Sequence, residues 1–162
     1  MKRRRLFLIL LLAGMAKAEG NFFLEMSDTQ FGMFAENRDF RQETINVEFA
    51  IATANRLQPK FVVICGDLIN QAGNTAQIAE FHRIAAKLDP AIKLYNVAGN
   101  HDVENEPTPA TLAAYRQQFG SDYYSFLPGG LQAFVLHSTP PAPPRQAPPR
   151  PARTATQPHR PP

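Results

Sequence analysis

Three short apolar runs, each broken off by a polar turn, alternate with helical patterns between residues 21 and 102. Strands that alternate with helices restrict a chain to an α/β sheet with parallel strands at its centre. Residues 21–27 (Asn-Phe-Phe-Leu-Glu-Met-Ser) read as the first strand. Residues 61–65 (Phe-Val-Val-Ile-Cys) form an unbroken apolar run, which suits a strand buried on both faces. Residues 92–97 read as the third strand. A helix is expected over residues 43–57, with Ile45, Phe49 and Ala52 on one face and Pro59 just beyond its end. A second helix begins at Asn74, with Gln77 placed as in a capping box. Its Ile78, Phe81, Ala85 and Leu88 share one face, and Pro90 lies past its end. Thr108-Pro109 opens a third helix to about Phe119, with Gly120 as its stop signal. Residues 123–126 and 131–137 read as two further strands around a Pro128-Gly129-Gly130 turn. The expected order is βαβαβ followed by αββ.

Polar residues collect at the carboxyl end of each of the first three strands. The first runs into Ser27-Asp28-Thr29-Gln30, the second into Gly66-Asp67-Leu68, and the third into Gly99-Asn100-His101-Asp102. In open α/β sheets, sites form outside the carboxyl ends of the strands. Asp28, Gln30, Asp67, Asn100 and His101 are therefore expected in one region. Two carboxylates and two amides are hard oxygen donors, suited to Mn, Mg, Fe or Zn at a hydrolytic site. An Asp between two such ions can bridge them, and an ion pair can activate water and stabilise a phosphoryl transition state. Gly66 and Gly99 let the backbone turn tightly. The competing reading is three unrelated turns, since Asp and Asn also favour turns for local hydrogen-bonding reasons. Their placement after three successive strands favours a site.

The two ends of the chain differ from its body. Lys2-Arg3-Arg4-Arg5, the apolar residues 6–12 and Ala16-Lys17-Ala18 have the layout of a secretory signal peptide ending near Glu19. A membrane anchor needs roughly 20 apolar residues, so an exported, periplasmic or extracellular protein without a stable membrane anchor is expected. Residues 140–162 hold ten of the 15 prolines and are expected to be disordered or polyproline-like. Residues 1–18 carry five of the 17 basic residues and the segment after Thr139 carries four, leaving eight against 14 acidic ones. The net charge of residues 19–139 is thus −6. The alkaline balance belongs to the ends, and no nucleic-acid binding is expected. Cys65 is the single cysteine, so no internal disulfide can form, and its place in an apolar run predicts a small buried residue.

Asp28-x-Gln30, Gly66-Asp67 and Gly99-Asn100-His101-Asp102 resemble the first three motifs of the calcineurin-like metallophosphoesterases. One branch, the calcineurin-like phosphoesterase domain-containing protein 1 type, is a closer likeness. That likeness rests on Ser27 to Gly32, Cys65 to Ile69, Gly99 to Val103 with Asn105 and Pro107-Thr108, and Asp122 to Phe126 with Gly129-Gly130. The resemblance covers about residues 21–139. It implies a two-sheet sandwich and hydrolysis of phosphate esters by a metal-activated hydroxide. It also implies that Asp28 and Gln30 ligate one metal, Asp67 bridges two, and Asn100 ligates the second. His101 would contact the phosphate and help protonate the leaving group. Asp102 would hydrogen-bond to His101 and orient it. Most of that family has His where Gln30 stands, while this branch has Gln.

The resemblance also implies a further metal-binding His and a later Gly-His-x-His motif, and neither occurs in these 162 residues. His137 falls in a strand, His159 in the Pro-rich segment and His82 on a helix, so none replaces them. The expectation is therefore a partial metallophosphoesterase sandwich: a signal peptide over 1–18, the N-terminal part of the domain over 19–139, and a tail over 140–162. A shifted reading frame or misplaced stop is expected, rather than an evolved tail, because it would explain the missing motifs and the tail's composition together. Such a chain would hydrolyse phosphate esters weakly or not at all, with its second metal site incomplete. The alternative is a non-catalytic exported module whose Pro-rich tail binds a protein partner.

Overall fold

The computed structural model describes residues 22–127 and 132–136. The signal-peptide pattern, the Pro128-Gly129-Gly130 turn, His137 and the Pro-rich segment lie outside those residues. The element order is β1 (Leu24–Met26), α1 (Arg41–Leu57), β2 (Phe61–Cys65), α2 (Thr75–Ala85), β3 (Lys93–Val97), α3 (Asn100–Val103), α4 (Pro109–Phe119), β4 (Tyr124–Phe126) and β5 (Ala133–Val135). Strands β1, β2 and β3 form one parallel sheet in that spatial order, and β4 and β5 form a separate antiparallel pair. The architecture is α/β, as the alternation of elements requires.

Strand β2 is the centre of the parallel sheet, and Phe61, Val62 and Ile64 are buried in it. Cys65 is exposed, contrary to expectation. It is the last residue of β2, where the strand leaves the core and the carboxyl edge of the sheet opens. Residues of the central strand, the helices and the loops join one core, including Phe31, Ile51, Val62, Ile64, Phe81, Ile84 and Tyr115.

Helix α1 buries a different face from the one expected. Val47, Ile51 and Ala54, together with Glu43, are its buried residues. Ile45 is 55% and Phe49 75% exposed. The helix carries two apolar stripes, and 3.6-residue periodicity cannot choose between them. The stripe ending in the small Ala54 faces the core. Gln58 closes the helix in the left-handed region (φ 55°), with its N–H on the Ala54 carbonyl.

Helix α2 starts as expected, with Asn74 Oδ1 accepting from the N–H groups of Ala76 and Gln77. Gln77 does not return the favour as a capping box. Its buried side chain instead accepts from the N–H groups of Asn70 and Gln71 at 3.1 and 3.0 Å. Ile78, Phe81 and Leu88 are buried as expected, while Ala85 is only partly so and Ile84, not expected on that face, is fully buried. Thr108 caps α4 with Pro109 in its first turn, and Tyr115 is its buried residue. His82 is exposed and stacks on Phe119 at 5.5 Å.

The β4–β5 pair is tied to the outer edge of β3. The Tyr124 hydroxyl donates to the Asn96 carbonyl (2.8 Å) and accepts from the Asn96 N–H (3.1 Å). It thereby satisfies backbone groups that an edge strand leaves unpaired. Tyr95 stacks on Phe126, and Phe126 meets Phe61 edge-on. Among the described residues no helix is long and apolar enough to cross a membrane.

Candidate metal centre at the carboxyl edge of the parallel sheet

Because β1, β2 and β3 run parallel, their carboxyl ends lie along one edge of the sheet. The loops that leave this edge are laced together. The Asp28 N–H reaches the Gly66 carbonyl at 3.2 Å and the Gln30 N–H reaches the Asp67 carbonyl at 2.8 Å. The Thr29 hydroxyl donates to the Leu68 carbonyl at 3.0 Å. A parallel bridge between Phe31 and Ile69 then resumes the β1–β2 ladder. This lacing holds Asp28, Gln30 and Asp67 at positive φ (54°, 36° and 49°). Non-glycine residues held in that region cost free energy and cluster at functional sites.

Gly99 brings the third strand end against the second. A Cβ placed on Gly99 would sit 2.1 Å from Asp67 Oδ1 and 2.2 Å from the Asp67 nitrogen. A Cβ on Gly66 would sit 3.1 Å from the Gly99 Cα. The two glycines thus let two loop backbones pass in contact, and Asp67 stands at the crossing. Its Oδ1 accepts the His101 N–H at 3.0 Å.

The two amides are oriented in the same way. Gln30 is buried and its Nε2 donates to Asn70 Oδ1 at 3.2 Å. Asn100 donates through Nδ2 to Asn105 Oδ1 at 3.0 Å. Tying off the NH2 ends leaves both carbonyl oxygens available as acceptors. The Ser27 hydroxyl donates to the Asp28 carboxylate, which is otherwise exposed. Asp28, Gln30, Asp67 and Asn100 therefore form an all-oxygen donor set, and its chemistry fits hard divalent cations. Among the described residues no three His, Cys, Asp or Glu side chains gather in a metal-holding cluster. Half of this donor set is amide.

The structure corrects the role expected of Asp102. Its carboxylate does not orient the imidazole of His101. It is buried and accepts from the N–H groups of Leu68 (2.9 Å), Ile69 (3.1 Å) and Gly99 (2.8 Å). It pins the β2 loop to the β3 loop beneath Asp67. Burial pushes its carboxyl up to about 6, against the opposing pull of the three N–H groups. The His101 ring is held instead by Asn70, whose carbonyl lies 2.8 Å from Nδ1. A carbonyl only accepts, so Nδ1 carries the proton and Nε2 is the nitrogen left to act.

Asn70 is the positioning residue that motif reading misses. Its carbonyl holds His101, its side-chain oxygen holds Gln30, and its Nδ2 donates to Asn37 at 2.8 Å. The only sequence signal is its place three residues after Asp67, in the turn before α2. A cavity of about 450 Å3 opens beside Asp67, Gly99 and Asn100, with Cys65 and the β5 residues Phe134 and Val135 on its wall.

Residues 23–147 match the family model for calcineurin-like phosphoesterases. The chain belongs to the calcineurin-like phosphoesterase family. The match extends past Thr139, where the motif-level resemblance stops. Among similar proteins, the serine/threonine-protein phosphatase CPPED1 of Bos taurus is 35% identical over 132 residues, covering 72% of this chain and 42% of the relative. The proteins of that name from Mus musculus and Homo sapiens are 36% and 35% identical over the same lengths. The chain therefore spans about two fifths of the length of these relatives.

Proposed function

We propose that this chain carries the first-half ligand set of a metal-dependent phosphoesterase that hydrolyses phosphate esters. The observation that carries the reading is the donor set at the three parallel strand ends, with both amide oxygens left free by their tied-off NH2 groups. In this reading Asp28 and Gln30 hold one divalent ion, Asn100 holds a second, and Asp67 at the loop crossing is shared. When bound, such a pair of ions supplies Lewis acidity, which lowers the pKa of water and neutralises phosphoryl charge.

The chain's own groups do the rest. Asp102 keeps the two loops in register. The Asn70 carbonyl takes the Nδ1 N–H of His101, so Nε2 is the atom turned to the substrate; when Nε2 also carries a proton, the imidazolium donates it to a phosphoryl oxygen and on to the leaving alcohol, and the ring returns to its neutral form. Hard divalent ions prefer about six oxygen ligands each. The four protein donors identified at this edge leave positions for water, substrate oxygens or further protein groups. The proposed location is outside the cytoplasm, on the strength of the signal-peptide pattern in residues 1–18.

The test is a Mn2+ titration of the 162-residue chain followed by electron paramagnetic resonance, beside hydrolysis of an aryl phosphate. Asp67→Asn should weaken Mn2+ binding at least about tenfold. Binding of equal strength in Asp67→Asn, or turnover that does not depend on the ion, would remove the two-metal reading.

A further inference from the structure

Another cavity, of about 320 Å3, opens beside Asp28, between the end of β1 and the first turns of α1. Asp28, Phe34, Glu43 and Asn46 line it, over an apolar floor of Val47 and Ala50. Glu43 is the unusual member. It lies in the first turn of α1, on the face that packs into the core, and is only 3% exposed. Its Oε1 accepts the Phe34 N–H at 2.8 Å, which anchors the loop after Gln30. Its Oε2 has no hydrogen-bond partner among the described residues. A buried carboxylate oxygen without a donor is costly. Native structures keep such an atom where something else satisfies it.

The remaining walls define what could satisfy it. Two acidic residues, Asp28 and Glu43, are among those that line this cavity, and among the described residues no Lys or Arg lines it. Asn46 Oδ1 is already occupied by the Gln42 amide. Phe34 offers a ring that is 67% exposed. Carboxylate, aromatic face and apolar floor together favour a small organic cation, and they repel a second anionic group.

We infer that Glu43 and Phe34 form a specificity pocket for the alcohol portion of the phosphate ester, and that the preferred substrate class carries a protonated amine a few bonds from the phosphate. The inference deepens the phosphoesterase reading and rests on it for the position of the phosphate, beside Asp28. Glu43 takes no part in proton transfer. It receives an ammonium N–H on Oε2, while Phe34 covers the same charge through its ring.

The experiment compares two probes of equal length on the Mn2+-loaded chain by calorimetry: 2-aminoethyl phosphate and ethyl phosphate. The wild-type chain should bind the amino ester about tenfold more tightly. Glu43→Gln keeps the oxygen that accepts the Phe34 N–H but removes the charge, and it should bring the ratio below about twofold. Phe34→Ala, at an exposed ring, should reduce the ratio in part. Equal binding of the two esters by the wild type, or an undiminished ratio in Glu43→Gln, overturns the proposal. A third arm omits phosphate and metal: ethylammonium is added and the Phe34 amide resonance is followed. A shift seen in the wild type and lost in Glu43→Gln supports the pocket even where neither ester binds, and that combination instead discards the phosphoesterase reading. Absence of the shift, with both esters bound equally, discards the pocket and leaves the phosphate site standing.

Discussion

Gly99→Ala isolates the loop crossing on which the candidate site depends. The Gly99 backbone (φ −104°, ψ 176°) is ordinary for alanine, so the substitution adds no torsional strain. It adds only a methyl group, 2.1 Å from Asp67 Oδ1 and 2.2 Å from the Asp67 nitrogen. The carboxylate oxygen can rotate aside, but the backbone nitrogen cannot. Carbon atoms find their best non-bonded separation at about 3.5 Å or more, so the loops must part by roughly 1 Å. That displacement breaks the bond from the Gly99 N–H to Asp102 (2.8 Å) and the bond from the His101 N–H to Asp67 (3.0 Å). Each is a hydrogen bond to a charged group, worth about 1.5–3 kcal/mol, so the loss of both is about 3–6 kcal/mol. For a domain of this size it should lower the melting temperature by at least about 10 °C. Mn2+ affinity should fall at least about tenfold, because the Asp67 carboxylate moves with the loop. Gly73→Ala is the control. It sits at φ +75° with nothing within 4 Å, so it should cost about 1–2 kcal/mol of backbone strain and leave Mn2+ binding alone. Melting by circular dichroism and Mn2+ titration are run on both. A Gly99→Ala chain that melts within about 2 °C of wild type and binds Mn2+ equally would refute the close-crossing argument.

Three further outcomes follow from single residues. Burial raises the Asp102 carboxyl to about 6, so folding favours its protonated form. Stability should therefore fall as pH rises from about 4 through 6 and level off above, by at most roughly 3 kcal/mol for a shift of two units. Glu48 and Glu80, held low first of all by hydrogen bonds to Lys87 and Arg83, oppose this trend only below the usual Glu range. Urea melts at pH 5 and 7.5 should show the difference in wild type and lose it in Asp102→Asn. Tyr124→Phe removes both partners of the Asn96 backbone at the β3 edge, and thermal melting should record a loss of about 1–2 kcal/mol. Tyr115→Phe should be neutral or stabilising in the same assay, because the buried Tyr115 hydroxyl has no partner among the described residues.

The strands and helices were legible because each is driven by its own pattern. The apolar run of residues 61–65 became the central strand, and the Asn74 and Thr108 caps start α2 and α4. What failed to read depends on partners distant in sequence. The buried stripe of α1 is chosen by the sheet it meets, so Ile45 and Phe49 looked as suitable as Val47 and Ile51. Cys65 looked buried because its neighbours are apolar, but it lies where the strand leaves the core.

The candidate site divides along the same line. Asp28, Gln30, Asp67, Asn100 and His101 could be named from motif and spacing, since a ligand's chemistry is a property of the residue itself. The groups that aim them could not, because aim is a property of contacts. Asn70 reaches Gln30 forty residues back and His101 thirty-one residues ahead. Asp102 reaches Leu68 thirty-four residues back. The family resemblance made Asp102 the expected partner for the adjacent imidazole. Three backbone N–H groups from two loops are a better-satisfied environment for a buried carboxylate than one ring nitrogen, and a carbonyl suffices to hold a neutral imidazole. The assignment therefore exchanges: the carboxylate secures the backbone beneath the shared Asp67, and Asn70 sets the histidine. On this argument Asp102→Ala should damage folding and ion binding together. An Asn70 side-chain substitution keeps the carbonyl that holds His101 and should chiefly release the Gln30 amide.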